Sequence, residues 1–209
     1  MNKRLSHHFT VGGAYTWSKG IDDGPNPSFV LIPQDSLNIR AERALSADDV
    51  RNRFVGNAVL SSPTSGNIWF RDFQLGFILT LQSAQHFTKF AGSDVNGDVF
   101  GANDRVGLEG RNTFKGDTLK TLDMRLSRSF TIMEKKKLEF IAEAFNLANS
   151  VNVRFFNTAY GAADFCPGAG PNVCGAGPFF KEGSPNPSYG TPRAVANPRQ
   201  IQLALRFTF

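Results

Sequence analysis

Cysteine and histidine are scarce: two Cys and three His in 209 residues. His7 and His8 are adjacent, so on a strand they face opposite sides and cannot chelate together. His86 stands apart, which leaves no plausible zinc site. No stretch approaches the run of about 18 apolar residues that a membrane helix needs, the densest being Leu75-Gly76-Phe77-Ile78-Leu79-Thr80-Leu81. Any crossing of a membrane must therefore be made by strands. The start, Met1-Asn2-Lys3-Arg4 running into His7-His8-Phe9-Thr10, has no apolar h-region and no small-residue cleavage site. A protein that crosses a membrane with strands needs such a leader for export, so either the chain is a fragment or it crosses no membrane. G-x-S-x-G, H-E-x-x-H, P-loop and dinucleotide fingerprints are all absent, so no enzyme and no cofactor is expected. The net charge of +5 is spread among interleaved acids and bases, which gives no nucleic-acid footprint.

What the chain does have is 20 Phe, 20 Gly and 11 Pro, the prolines falling between alternating segments rather than inside them. That distribution favours strands joined by long irregular loops. The last eleven residues alternate strictly. Ile201, Leu203, Leu205, Phe207 and Phe209 point to one face, and Gln200, Gln202, Ala204, Arg206 and Thr208 to the other. A greasy outer face with a wet inner face describes a strand of a bacterial outer-membrane barrel. A soluble two-faced strand gives the same alternation but seldom leaves its last apolar residue at the chain end.

Six segments read as strands. The first spans 5–18, with Phe9, Val11, Tyr15 and Trp17 opposite His8, Thr10, Ala14 and Thr16. The second, 51–61, alternates poorly. The third sets Phe73, Leu75, Phe77, Leu79 and Leu81 against Gln74, Gly76, Thr80 and Gln82, with Ile78 out of pattern. The fourth sets Leu122, Met124, Leu126 and Phe130 against Thr121, Asp123, Arg125, Ser127 and Ser129, with Arg128 as its exception. The fifth, 136–149, fits a helix as well as a strand, because Leu138, Ile141, Ala142 and Phe145 also follow the spacing i, i+3, i+4, i+7. The sixth is the terminal segment.

The connections alternate in length. Residues 19–50, 90–117 and 150–198 form long loops, and 62–68 and 131–135 form short turns. Outer-membrane barrels have short periplasmic turns and long extracellular loops, and the alternation argues for a strand at 136–149. Both chain ends then lie on the periplasmic side. Six strands are too few to close a barrel. An open sheet would leave about ten unpaired backbone groups in hydrocarbon at several kcal/mol each, more than a typical stability of about 5–15 kcal/mol. Further strands or further copies must complete it.

Several stretches in order resemble the C-terminal end of TonB-dependent outer-membrane receptors, of the Oar-like type whose full-length members carry a carboxypeptidase-regulatory-like domain. They are Tyr15-Thr16-Trp17-Ser18-Lys19 with Ile21-Asp22-Asp23, Arg51-Asn52-Arg53-Phe54-Val55, and Gly110-Arg111-Asn112-Thr113-Phe114. To these are added Leu138-Glu139-Phe140 with Glu143-Ala144-Phe145-Asn146, and Pro198-Arg199-Gln200-Ile201-Gln202 through Phe209. The resemblance implies a barrel of about twenty-two strands, an N-terminal plug and a TonB box, of which this sequence holds only about the last six strands. It also implies that Phe207 and Phe209 form the aromatic-x-aromatic signal read by the barrel-assembly machinery.

The expected fold is thus all-β: an antiparallel transmembrane barrel segment of about six strands with long extracellular loops, residues 1–209 being the C-terminal portion of a larger barrel in the bacterial outer membrane. Leu75, Phe77, Leu79, Leu203 and Leu205 are expected to meet the lipid bilayer, and Asp123, Arg125 and Gln202 the lumen. The loops are expected to meet an unidentified ligand. The TonB complex would be reached only through the plug that the sequence lacks.

Cys166 and Cys174 flank a short loop in a segment expected outside the cell, where thiols oxidise; a local disulfide between them is expected, closing about nine residues for roughly 2.5 kcal/mol, since metal binding needs more ligands and no His lies in that loop. Asp94, Asn96 and Asp98 have calcium-loop spacing, but Gly97 comes two positions early and Arg105 stands where Glu belongs, so a polar turn is the plainer reading. Glu139 and Glu143 are expected to pair with cations such as Arg125 rather than act as an acid–base pair. Two other arrangements stay open: a self-assembling pore or adhesin, and a soluble β-sandwich binding module.

Overall fold

A computed structural model gives the fold and describes residues 2–6, 8–24, 33–92, 94, 96–99, 101, 103–106, 109–133, 136–160 and 186–209. In chain order the strands are β1 (Asn2–Ser6), β2 (Phe9–Trp17), β3 (Ile21–Asp22), β4 (Ala44–Leu45), β5 (Asn52–Ser61), β6 (Phe73–Gln82), β7 (His86–Phe87), β8 (Phe114–Lys115), β9 (Leu119–Met133), β10 (Lys136–Phe145), β11 (Val153–Phe156), β12 (Pro192–Val195) and β13 (Gln200–Thr208). A 3-10 turn covers Ile39–Glu42.

Seven of these strands form one sheet in the order β1-β2-β5-β6-β9-β10-β13, with every neighbouring pair antiparallel. It is an up-and-down meander, as short connections between sequential strands favour. The pairs β1–β2, β5–β6 and β9–β10 are joined across short gaps in sequence at one end of the sheet, and β2–β5, β6–β9 and β10–β13 across long ones at the other. The expected alternation of short and long connections is present.

The first expected segment divides in two. Ser6 pairs with Phe9 and Asn2 with Gly12, so His8 belongs to a tight turn rather than to a strand, and β1 runs down to the short-turn end beside β2. Neither His7 nor His8 is a turn-forming residue type, which is why the sequence reads straight through. The sheet accordingly has seven strands, and its first strand enters from the long-loop side. The fifth segment is a strand: Leu138 faces Phe130 and Phe207, and Phe140 faces Arg128 and Leu205. Pairing on both edges overrides its helical spacing, because a β10 helix would leave β13 without a partner and one edge of β9 unpaired.

The sheet is a single layer. Residues buried in it are few, Ala144 and Ser127 among them, while Ile201, Leu203 and Leu205 are 72%, 79% and 65% exposed. Burying each such side chain is worth about 1.5–3 kcal/mol, so a run of them facing water is costly. A soluble sandwich covers such a face with a second sheet; no second layer lies on it among the described residues. The buried apolar residues instead gather beyond the long-loop end, where Ala91, Val106 and Tyr160 cluster with Tyr189 packed against them. Among the described residues no helix is long and apolar enough to cross a membrane, which says nothing of crossing by strands.

Candidate functional site: two faces and a loop cap

Register assigns every central strand residue to a face. Leu75, Phe77 and Leu79 lie opposite Leu126, Met124 and Leu122 on β9, and opposite Leu60, Ala58 and Gly56 on β5. Ala142 links Leu126 to Leu203, and Phe140 pairs with Leu205. Leu203 and Leu205 therefore share the face of Leu75, Phe77 and Leu79, since directly paired residues point the same way. On β2 the same face carries Phe9, Val11, Tyr15 and Trp17, which pair with Leu60, Ala58, Phe54 and Asn52.

The opposite face carries most of the sheet's polar side chains, with Val55, Val59, Ile78 and Ile141 among them. Asp123 and Arg125 on β9 oppose Ile78 and Gly76, and Gln202 opposes Glu143. Arg125 lies 3.5 Å from Glu143 and 3.9 Å from Glu139, and Arg206 reaches Glu139 at 3.4 Å. The two glutamates are thus bracketed by arginines. Each contact is half-exposed and worth at most about 1 kcal/mol, so they set the character of the face more than its stability. Asp123 also accepts a hydrogen bond from the Asn146 backbone N–H at 2.8 Å.

Asn146 was not foreseen as a key residue. Its left-handed backbone, φ 49°, ends β10 in a conformation that Asn tolerates better than most residues. Its buried amide donates to the carbonyls of Ser150 and Asn197, and its side-chain oxygen accepts from Ser150 N–H. Asn152, also buried, brackets the Lys120 backbone by accepting from its N–H and donating to its carbonyl. Both asparagines root the last long loop in the sheet.

The long loops build a cap through buried charge. Glu42, 3% exposed, takes both carboxylate oxygens to the Arg105 guanidinium, 6% exposed, at 2.9 and 2.8 Å. Arg111 Nε donates to the Glu42 carbonyl at 2.8 Å, and Arg111 also binds the Gly24 carbonyl and the Asp22 carboxylate. Burial raises the Asp22 carboxyl's pKa, but the hydrogen bonds from Arg111 and Ser46 and the Arg111 charge outweigh this and hold it below the usual value. Loop 18–51 is in this way fastened to loop 83–118. The two segments are too far apart in sequence for the pairing to be visible there.

Aromatic rings tie in the third long loop. Phe87, Phe114 and Phe156 meet edge-on or tilted at centroid distances of 5.5–6.4 Å, with Tyr189 on Phe114 and Tyr160 on Tyr189. Burial pushes the Tyr189 hydroxyl's pKa up. Gly116 makes the cluster possible: a Cβ there would sit 2.8 Å from Phe87 and 2.9 Å from Phe156.

The remaining expected sites resolve plainly. Asp94 spends both oxygens on the backbone N–H groups of Gly97 and Val99, and Asn96 accepts from Asp98 N–H. The segment is a side-chain-capped polar turn, and Arg105 belongs to Glu42. Among the described residues no group of three or more His, Cys, Asp and Glu is placed to hold a metal ion. Cys166 and Cys174 lie outside the described residues. Phe209 follows β13, exposed, its ring tilted against Phe207 at 6.2 Å.

A meander with one apolar face, one polar face and loops of strictly alternating length has the build of a membrane barrel wall. The chain belongs to the outer membrane beta barrel domain family, whose model matches it over residues 1–106 and 94–202. It is a protein of the bacterial outer membrane. No curated protein and no solved structure matches it.

Proposed function

We propose that this chain supplies wall strands and an extracellular cap to a TonB-dependent receptor that imports a scarce solute. The observation that carries this reading is that segments resembling the receptor family, scattered through the sequence, touch in pairs. The Tyr15–Trp17 stretch is laddered to Asn52–Phe54, with the Tyr15 hydroxyl donating to Asn52 at 2.7 Å. Asp22 is bound by Arg111. The Leu138–Phe145 stretch is paired along its length with Gln200–Phe207. Stretches that resemble one family and also interlock act as a unit.

In this reading Leu75, Phe77, Leu79, Leu203 and Leu205 contact lipid, and Asp123, Arg125 and Gln202 line the wet lumen. The outer edges of β1 and β13 are paired by further strands, because unpaired backbone groups in hydrocarbon cost several kcal/mol each. Phe207 and Phe209 are the signal by which the assembly machinery engages the wall. The chain catalyses no reaction, and its partners are the bilayer, that machinery and, through a plug, the TonB complex.

The test is to isolate outer membranes from the source cells and to sequence, by mass spectrometry, every protein yielding peptides of this chain. Peptides of a plug in the same polypeptide, with solute uptake that stops when the proton gradient is collapsed, are the expected result. A product of about 22.9 kDa running as a discrete oligomer would overturn the receptor reading in favour of a self-assembled pore.

A further inference from the structure

The apolar face is interrupted at two places on β9. Register puts Lys120 beside Leu81 and Arg128 beside Phe73, both on the face of Leu122, Met124 and Leu126. Eight residues at about 3.3 Å separate them, so about 26 Å along the strand and about 20 Å along the membrane normal at a tilt of about 40°. That is close to the apolar band of such barrels, about 25 Å tall. The two cations therefore bracket a hydrocarbon-height stretch. Exposed aromatics stand beside each: Tyr15 and Trp17 toward the Lys120 end, Trp69 and Phe70 in the turn next to Arg128. Aromatic residues favour the two interfaces of a bilayer.

Arg128 differs from the arginines of the polar face. Arg125 contacts both Glu139 and Glu143, and Arg206 contacts Glu139; no described carboxylate lies within ion-pairing distance of Arg128. Its guanidinium is 4.6 Å from the ring centres of both Phe73 and Phe130 and donates to the Ile68 carbonyl, while its Nε is buried without a partner. Beside it a groove of about 800 Å³ runs over Leu126, Phe140, Ala142, Leu203 and Leu205. Apolar walls ending on an uncompensated cation match one chemistry: a phosphate ester on a hydrocarbon chain.

We propose that this groove seats a glycerophospholipid of the inner leaflet, its phosphate on Arg128 and one acyl chain along β9, β10 and β13. The site rests on the reading that this face meets lipid. A bidentate guanidinium–phosphate contact is favoured in both geometry and charge, and the two phenylalanine rings hold the side chain in place for it. The lipid covers the junction of the last three strands and would thereby steady the C-terminal strand.

The native protein, purified from outer membranes into a phosphate-free maltoside detergent, is given a trace of phosphatidylglycerol bearing a diazirine in its acyl chain. Label should concentrate in peptides of β9, β10 and β13, fall about tenfold in Arg128→Gln, the factor one charge-assisted hydrogen bond supplies, and fall by less in Arg128→Lys, which keeps the charge without the bidentate fork. Excess inorganic phosphate should leave it unchanged. Equal labelling of Arg128→Gln, even labelling of all apolar-face strands, or abolition by inorganic phosphate would each overturn the site. Label on the polar face and none at Leu75–Leu81 would instead defeat the lipid-facing reading itself. Should Arg128→Gln fail to assemble, judged by gel mobility before and after boiling, a diacylglycerol diazirine probe on the native protein replaces it. Labelling about tenfold weaker than with the phosphate ester supports the site, and equal labelling refutes it.

Discussion

Glu42→Gln is the sharpest single perturbation of the loop cap. The native carboxylate receives two hydrogen bonds from Arg105 and lies 3.6 Å from Arg111 Nε, and both Glu42 and Arg105 are buried. Removing one charge of a buried pair typically costs about 3–5 kcal/mol, most of it the penalty of leaving the other uncompensated. That cost falls on opening of the cap rather than on the sheet, because loops open as units separate from the strands. Hydrogen exchange should read it directly: amides closed by the cap, Arg43 N–H on the Arg40 carbonyl, Ala91 N–H on the Asp104 carbonyl and Val106 N–H on the Lys89 carbonyl, should exchange about a hundredfold to a few thousandfold faster. Amides of β6 and β9 should not change. Pairing the change as Glu42→Leu with Arg105→Met should recover much of the protection, since an apolar pair avoids the desolvation of both charges. Protection unchanged in Glu42→Gln, or lost equally from β6 and β9, would refute the reasoning.

The facing assignment predicts unequal costs for neighbours on β13: Leu203→Arg should lose about 2–4 kcal/mol in the complete barrel if near the midplane and Gln202→Arg well under 1, measured by denaturant titration in lipid. Gly116→Ala should destabilise the aromatic cluster by about 1–3 kcal/mol, the cost of overpacking, seen as weakened near-ultraviolet circular dichroism with β-sheet content intact. The lowered Asp22 carboxyl supplies stability that is complete above its unfolded value of about 3.9 and is lost as pH falls through its folded value. Proteolysis of loop 18–51 should accordingly be flat from neutral pH to about pH 4 and accelerate only below it, and Asp22→Asn should remove that acid step.

Where the sequence was legible, the cause was period-two alternation. β6, β9 and β13 are long enough for a strict inward–outward pattern to stand out, and Ile78 and Arg128 showed as exceptions. The structure keeps both out of pattern, Ile78 on the polar face and Arg128 on the apolar one. β10 was ambiguous because Glu, Lys, Leu and Ala suit helices, and only its two flanking strands decide it. The hairpin at Ser6–Phe9 was hard to read because Ser6 is its one turn-favouring residue and no Gly, Pro, Asn or Asp stands beside it. The two-residue ladders β3–β4 and β7–β8 are too short to have a period. The cap was hidden for a different reason: Glu42 and Arg105 look like ordinary surface charges until folding buries them together. Glu139 and Glu143 were legible in role, since acids spaced by four on an alternating strand share a face with Arg125.

The most direct test of the central claim, that β13 is a barrel-wall strand with one face in lipid and one in water, is a spin-label scan of residues 200–208 in the intact protein, with Cys166 and Cys174 replaced by Ser. Collision with oxygen, which concentrates in lipid, should peak at residues 201, 203, 205 and 207, and collision with a water-soluble nickel chelate at 200, 202, 204 and 206. The two profiles should run out of phase with a period of two residues. Accessibility to the chelate at every position, or profiles in phase, would contradict the account.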